Sequence, residues 1–280
     1  MKNKLLLLTM FVSIFLLLAA CGTDSTEKTG SSSQESDNTF TVGLEAGYPP
    51  FNWTQLDDSN GGVKISGNAE YAGGYDVEIA KKIAEGLGKE LVVVKTEWDG
   101  LVPSLQSDKI DAIVAGMSPT EERKQSIDFS DNYYTSNFVM IVKKGGPYEN
   151  ATSIQDFSGA KITGQLNTSH YGVIDQIEGV QKQPASDNFS AMRVALESGV
   201  IDGYVSERPE GISASAANEN FAMVEFTDGF VADEEETAVA VGLKKGSELT
   251  EQINEILGKI SEEERQEIMD KAIQNQPAAE

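Results

Sequence analysis

The segment from Ile110 to Tyr134 carries groups whose types and spacing suit the binding of one small carboxylate. Ile110 to Ala115 reads as a short buried strand running into a polar turn. Ser118 offers a hydroxyl and a backbone N–H beside that turn. Thr120 stands three residues before Arg123, at the predicted start of a short helix. Arg123 adds a planar fork of five donors. N–H groups, a hydroxyl and an arginine fork together fit a carboxylate. A surface helix cap followed by a surface arginine accounts for the same residues, so the rest of the chain must decide. Thr168 and Ser169 offer hydroxyls and N–H groups at the predicted start of another helix, a second place suited to an anion. Glu207 follows a predicted strand at 201–205 and points to the same edge; a first-turn glutamate satisfying the helix dipole is the competing reading. His170 is the only histidine. A lone imidazole makes neither a metal site nor a triad, so it is assigned to helix surface or packing.

These residues need a scaffold that brings loop ends together. Phe40 to Leu44 alternates as a strand, and Glu45 to Phe51 follows as a loop broken by glycine and two prolines. Tyr48 is placed at the cleft, Phe51 and Trp53 in the core. Residues 55–74 are polar and glycine-rich, with Val63 to Ile65 and the region of Tyr71 forming a small hairpin arm. Tyr75 to Leu87 has one apolar side and reads as a helix capped by Gly88. Leu91 to Val94 is a strand, and Asp99 is a good N-cap for a helix through Leu101 and Leu105. Trp98 then lies level with Tyr48. This β–α–β–α–β order is one α/β lobe, whose ligands belong at the C-terminal strand edge. Phe138 to Val142 and Ala160 to Thr163 open a second set. Asp187 and Ser206 are assigned as N-caps, 222–226 as a strand, and 238–243 as a strand crossing back. Helices at 248–257 and from Ser261 to about Ile273 close the chain, the last with a capping box at Ser261 and Glu264.

The first 20 residues read as an address. Lys2 and Lys4 precede an apolar run from Leu5 to Leu18, too short for a membrane span and placed like a signal peptide. The run ends Leu18, Ala19, Ala20, Cys21, which resembles a bacterial lipoprotein processing site, with Cys21 as the lipidated N-terminus. It is the only cysteine, so no intramolecular disulfide forms. Residues 21–38 lack large apolar side chains after the cysteine and read as a flexible tether. With 45 acidic and 22 basic residues the formal charge is −23, and no basic cluster follows the leader. That excludes nucleic acid as a natural partner.

Taken together, Tyr48–Pro50–Phe51, Gly73–Tyr75–Asp76, Ile110–Asp111–Ala112, Ser118 to Arg123, Phe129–Ser130 and Tyr133–Tyr134 resemble the extracellular solute-binding proteins of polar amino acid ABC transporters, over essentially all of 39–275. The resemblance implies an α/β, two-lobed, periplasmic-binding-protein-like fold of type II with two hinge crossover strands. Lobe 1 then comprises 39–138 and 238–275, and lobe 2 comprises 139–237. It further implies that Arg123 and Ser118 hold an amino acid α-carboxylate, aided by Thr168 and Ser169. The carbonyl of Gly116 accepts from the α-ammonium. Glu207 stands where the family usually has an aspartate for that ammonium. Tyr48 and Trp98 would sandwich the side chain. Glu45 matches a position that is acidic in basic amino acid binders and in some glutamine binders. Arginine or lysine is therefore the expected ligand, with glutamine or histidine next. No cofactor, metal or catalytic group is implied. The implied partners are ABC permease subunits and, through Cys21, the membrane, for a monomer outside the cytoplasm. Cyclohexadienyl dehydratases share the fold and supply the rival enzyme reading.

Overall fold

Alternation explains the first strand, because Phe40, Val42 and Leu44 are all fully buried. The computed structural model describes residues 38–277. The leader 1–20, Cys21 and all of the tether except Asn38 lie outside the described residues. The chain begins β1 (Thr39–Leu44), β2 (Gly47–Tyr48), β3 (Asn52–Gln55), β4 (Val63–Lys64) and β5 (Tyr71–Gly73). It continues α1 (Tyr75–Leu87), β6 (Glu90–Lys95), α2 (Leu101–Gln106), β7 (Ala112–Ile113), α3 (Glu121–Lys124) and β8 (Asp128–Thr135). Then come β9 (Phe138–Lys143), β10 (Lys161–Thr163), α4 (Ser169–Gly172), β11 (Gln181–Lys182), α5 (Phe189–Glu197), β12 (Gly203–Glu207), α6 (Arg208–Ala217) and β13 (Phe221–Val224). The return is α7 (Glu234–Thr237), β14 (Ala238–Leu243), α8 (Leu249–Leu257) and α9 (Glu262–Asn275).

Two five-stranded sheets carry the two lobes. One has the order β6-β1-β7-β14-β8, the other β11-β10-β12-β9-β13. In the first, β1 is parallel to β6 and β7, while β14 runs antiparallel to β7 and β8. In the second, β10 is parallel to β11 and β12, while β9 runs antiparallel to β12 and β13. The parallel strands of each sheet end at the same face, where Glu45, Gly116, Gln165 and Glu207 emerge. The chain passes between sheets twice, from β8 to β9 and from α7 to β14. The N–H of Ser136 donates to the carbonyl of Thr237 at 3.0 Å, so the two passages lie side by side. β2, β3, β5 and β4 make a separate antiparallel sheet, which includes the expected arm.

Helix α1 spans the predicted residues and ends at Gly88 in a left-handed conformation. Its Val77, Ile79, Ala80, Ile83 and Ala84 are buried, each large aliphatic contributing roughly 1.5–3 kcal/mol. Other expectations are corrected. Strand β7 has only two residues; the Val114 N–H still donates to the Gly43 carbonyl of β1 at 3.2 Å, and the chain then turns into the loop at Gly116. Strand β8 has a mixed polar pattern that marks no element by itself; its burial comes from β14 and α8 packed beside it. Asp99 does not cap α2, whose N-cap is Gly100 without a side-chain bond. Asn188 rather than Asp187 caps α5, accepting from the Ala191 N–H. Glu207 rather than Ser206 occupies the N-cap of α6, and β12 runs two residues further than expected.

Candidate functional site

The site lies where the two parallel-strand edges face each other. Thr120 is the N-cap of α3, and its hydroxyl accepts from the Arg123 N–H at 3.4 Å. That short turn aims Arg123 into the cleft. One guanidinium nitrogen donates to the Ser118 carbonyl at 2.8 Å. Another crosses to the Asn167 carbonyl of the second lobe at 2.7 Å. The guanidinium also lies 5.1 Å from the centre of the Trp98 ring, a cation–π distance. Burial lowers its pKa to about 10, so it stays charged near neutrality. Arg123, Trp98, Thr168 and Ser169 line one cavity of about 790 Å³ between the lobes. Arg123 is half-buried there, with its guanidinium held by two carbonyls, one from each lobe.

Ser118 is turned differently from expectation. Its hydroxyl donates to the Glu236 carbonyl at 3.2 Å, on the returning passage between lobes. Thr168 is the N-cap of α4, but its hydroxyl donates to the Gln165 carbonyl at 2.7 Å and makes no cap bond. Ser169 is the first residue of that helix.

Glu45, Tyr48 and Glu207 are buried, and neither they nor Gly116 line the cavity at Arg123. Tyr48 is 3% exposed and stacks between Phe51 and Phe189, with ring centres 5.0 and 4.3 Å away. Its hydroxyl donates across the cleft to Glu207. Glu207 is buried, and a ring nitrogen of His170 lies 3.6 Å from it. Glu45 is buried on the first lobe and receives the Gln165 side-chain amide at 3.2 Å from the second. Burial pushes Glu45 up to about 7; the Gln165 hydrogen bond opposes this, and Glu97 and Asp99 add to it. Asp99 itself accepts from the Asn167 side chain at 2.8 Å. Gly116 has φ +64°, and a side chain there would meet the Tyr48 ring at 2.8 Å. Only glycine holds this turn without strain.

Sequence reasoning missed two cleft residues. Gln165 bridges the lobes, and only its place just after a strand edge hinted at that. His170 is buried against Phe138 and Phe189 beside Glu207, so the surface part of its assignment is corrected. Its signal was adjacency to Ser169 on a helix of one turn. Among the described residues no group of three metal-ligating side chains occurs. No described helix is long and apolar enough to cross a membrane.

A cleft between two α/β sheets, charged on both walls, has known parallels. The profile of the bacterial extracellular solute-binding proteins, family 3, matches residues 40–275. The arginine-binding extracellular protein ArtP of Bacillus subtilis is 30% identical over 260 residues, covering 91% of each chain. The "Probable histidine-binding protein" of Campylobacter jejuni is 34% identical over 218 residues, covering 74% of this chain and 79% of its own. A crystal structure of an amino acid ABC transporter substrate-binding protein from Streptococcus pneumoniae, bound to L-arginine, superposes with a TM-score of 0.76 at 27% identity. It covers 86% of this chain and 96% of that one. With the cleft, the sheet order and the profile in agreement, the chain belongs to the bacterial extracellular solute-binding proteins, family 3.

Proposed function

We propose that this chain captures an L-amino acid, by preference arginine or lysine, between its lobes and delivers it to an ABC permease. The observation that carries the side-chain choice is the charge pattern of the cleft: two buried carboxylates, Glu45 and Glu207, stand against one guanidinium, Arg123. A basic amino acid has the complementary pattern of two cations and one anion. Arg123 takes the α-carboxylate, with the N–H groups of Ser118, Thr168 and Ser169 and the Ser169 hydroxyl around it. Glu207 and the Gly116 carbonyl take the α-ammonium. Trp98 covers the aliphatic stem, because both faces of the Tyr48 ring are already taken by Phe51 and Phe189, and Glu45 meets the terminal cation. The histidine- and arginine-binding relatives support an amino acid of this class. Glutamine is the second reading, favoured by one observation. With its pKa near 7, Glu45 is protonated often enough to donate to a neutral amide.

Contacts from both lobes make the ligand bind the closed form better than the open form, and that difference drives closure. No step needs a catalytic group, and the same residues that an enzyme would use for acid–base work are committed to the ligand's own charges. In this reading lobe 1 is 39–138 with 238–275, and lobe 2 is 139–237. The leader 1–20 is removed, Cys21 carries lipid, and residues 21–38 tether a monomer to the outer face of the cytoplasmic membrane. A thermal-shift screen of the twenty L-amino acids on the purified domain tests the proposal. Arginine and lysine should give the largest rises; no rise with any amino acid would overturn it.

A further inference from the structure

Behind Gly116 lies a carboxylate with no exposed surface. Asp76 is in the first turn of α1 and is fully buried. Gly74, at φ +123°, brings it there, because a side chain at 74 would strike the Phe51 carbonyl at 2.3 Å. The N–H groups of Tyr75 and Asp76 donate to the carbonyls of Pro50 and Phe51, fixing the helix start on the Tyr48 loop. The carboxylate accepts from the Asn52 amide at 2.7 Å and from the Tyr133 hydroxyl at 2.6 Å. The N–H of Gly116 donates to that same hydroxyl at 3.3 Å and also helps stabilise the Asp76 anion. One buried acid thus ties together β3, α1, β8 and the Gly116 turn.

The groups facing Asp76 from each packed element are few. Asn52, Tyr133 and the Gly116 N–H are donors. Burial pushes the Asp76 carboxyl up to about 7; the Tyr133 and Asn52 hydrogen bonds oppose this, and the charge of Glu207, from the second lobe, adds to it. None of these groups is a cation; the His170 ring, 3.6 Å from Glu207, faces the second acid and not Asp76. A buried anion lacking a countercharge is costly, and an ammonium beside Gly116 and Glu207 would remove that cost.

We propose that Asp76 is a positioning residue for the ligand's α-ammonium, fixing the Gly116 turn through Tyr133 and lending its charge from behind. This rests on the assignment of Gly116 and Glu207 to the ammonium. Asp76 does not touch the ligand. Its effect is specific to ligands that carry an α-amine.

The test pairs each amino acid with its analogue lacking that amine. L-Arginine is compared with 5-guanidinopentanoic acid, and L-glutamine with glutaramic acid, by calorimetry or competition on wild type, Asp76→Asn, Tyr133→Phe and Glu207→Gln. Asparagine keeps the shape of Asp76 and can pair with Asn52. D76N should weaken the amine-bearing ligands by about tenfold or more while leaving the analogues within about twofold, as for loss of a charged partner in a buried site. Y133F should show the same selectivity with a smaller loss, and it carries the test if D76N does not fold. Equal losses for amine and analogue, or no loss, in the variants that fold would overturn the role of Asp76. E207Q separates the two assignments. Amine-selective loss in E207Q without any in D76N and Y133F removes Asp76 alone. Absence of amine-selective loss in E207Q removes the ammonium assignment and this proposal with it.

Discussion

A carboxylate such as Glu45 serves binding only if the ligand keeps it charged. Its folded value is raised from 4.5 to about 7, chiefly by burial. A guanidinium beside it favours the ionised form, so arginine should expel a proton on binding below pH 7. Affinity for arginine should fall by up to about tenfold per pH unit as pH drops from roughly 7 to 5.5, while that for glutamine stays nearly level. Calorimetry in buffers of different ionisation heat measures both the slope and the proton. Glu45→Gln should flatten the slope and hurt arginine and lysine more than glutamine; equal losses for all three would reject the cation assignment. The stability sign is opposite. A carboxyl whose folded pKa is raised contributes stability fully present below about 4.5 and lost as pH rises through about 7. E45Q should therefore raise the Tm of the ligand-free protein at pH 8, an example of a site residue held at the expense of stability. Arg123→Ala removes the cation proposed to hold the ligand's carboxylate. It should weaken amino acid binding by roughly 2–5 kcal/mol, as for one partner of a desolvated charge pair. Unchanged affinity in calorimetry would sink the assignment. The sequence pointed to these residues by type and by position after strands. It could not show that Ser118 turns its hydroxyl to Glu236, because that partner lies 118 residues away.

At the scale of elements, local signals were most reliable where one face is buried and caps are strong. Helix α1 shows both, with an apolar stripe and Gly88 in the left-handed region. Strand β14, buried along its whole length, also matched. Caps in polar runs were less legible, since several adjacent residues can accept the same N–H. Asp187 and Asn188 both qualify chemically, and the backbone geometry chose Asn188. β8 was illegible for a different reason: of its eight residues only Ser130 and Tyr133 are buried, a spacing of three rather than the period of two that marks a strand. The Gly116 turn gives a sharp prediction at this scale. Gly116→Ala places a methyl 2.8 Å from the Tyr48 ring at φ +64°. Strain of about 1–3 kcal/mol should lower Tm by several degrees and displace Tyr48, weakening amino acid binding. Gly47→Ala, whose added carbon meets nothing within 4 Å, is the matched control and should leave Tm within about a degree or two. Equal effects from both variants would reject a special role for the turn.

For the whole molecule, the sequence conveyed two α/β sets and a returning strand, which sufficed for the architecture. The bridges between lobes were not legible, because Glu45 and Gln165 are 120 residues apart and nothing local marks their pairing. Those bridges imply that stability and closure respond together to ligand. At a ligand concentration of 100 Kd the folded state should gain about 2.7 kcal/mol, read as a rise in Tm. Small-angle scattering should show a smaller radius of gyration with arginine than without; an unchanged radius would argue against closure. Glu97 and Asp99 lie close enough to Glu45 to raise its pKa, so the approach to the side-chain pocket is negative on its first-lobe wall. A cationic solute is drawn toward such a wall before any contact forms. The association rate for arginine should therefore fall as ionic strength rises, with screening beyond about 8 Å at physiological salt. Glutamine, with no net charge, should associate at a rate nearly independent of salt, so that in dilute media the capture of basic amino acids is faster as well as tighter.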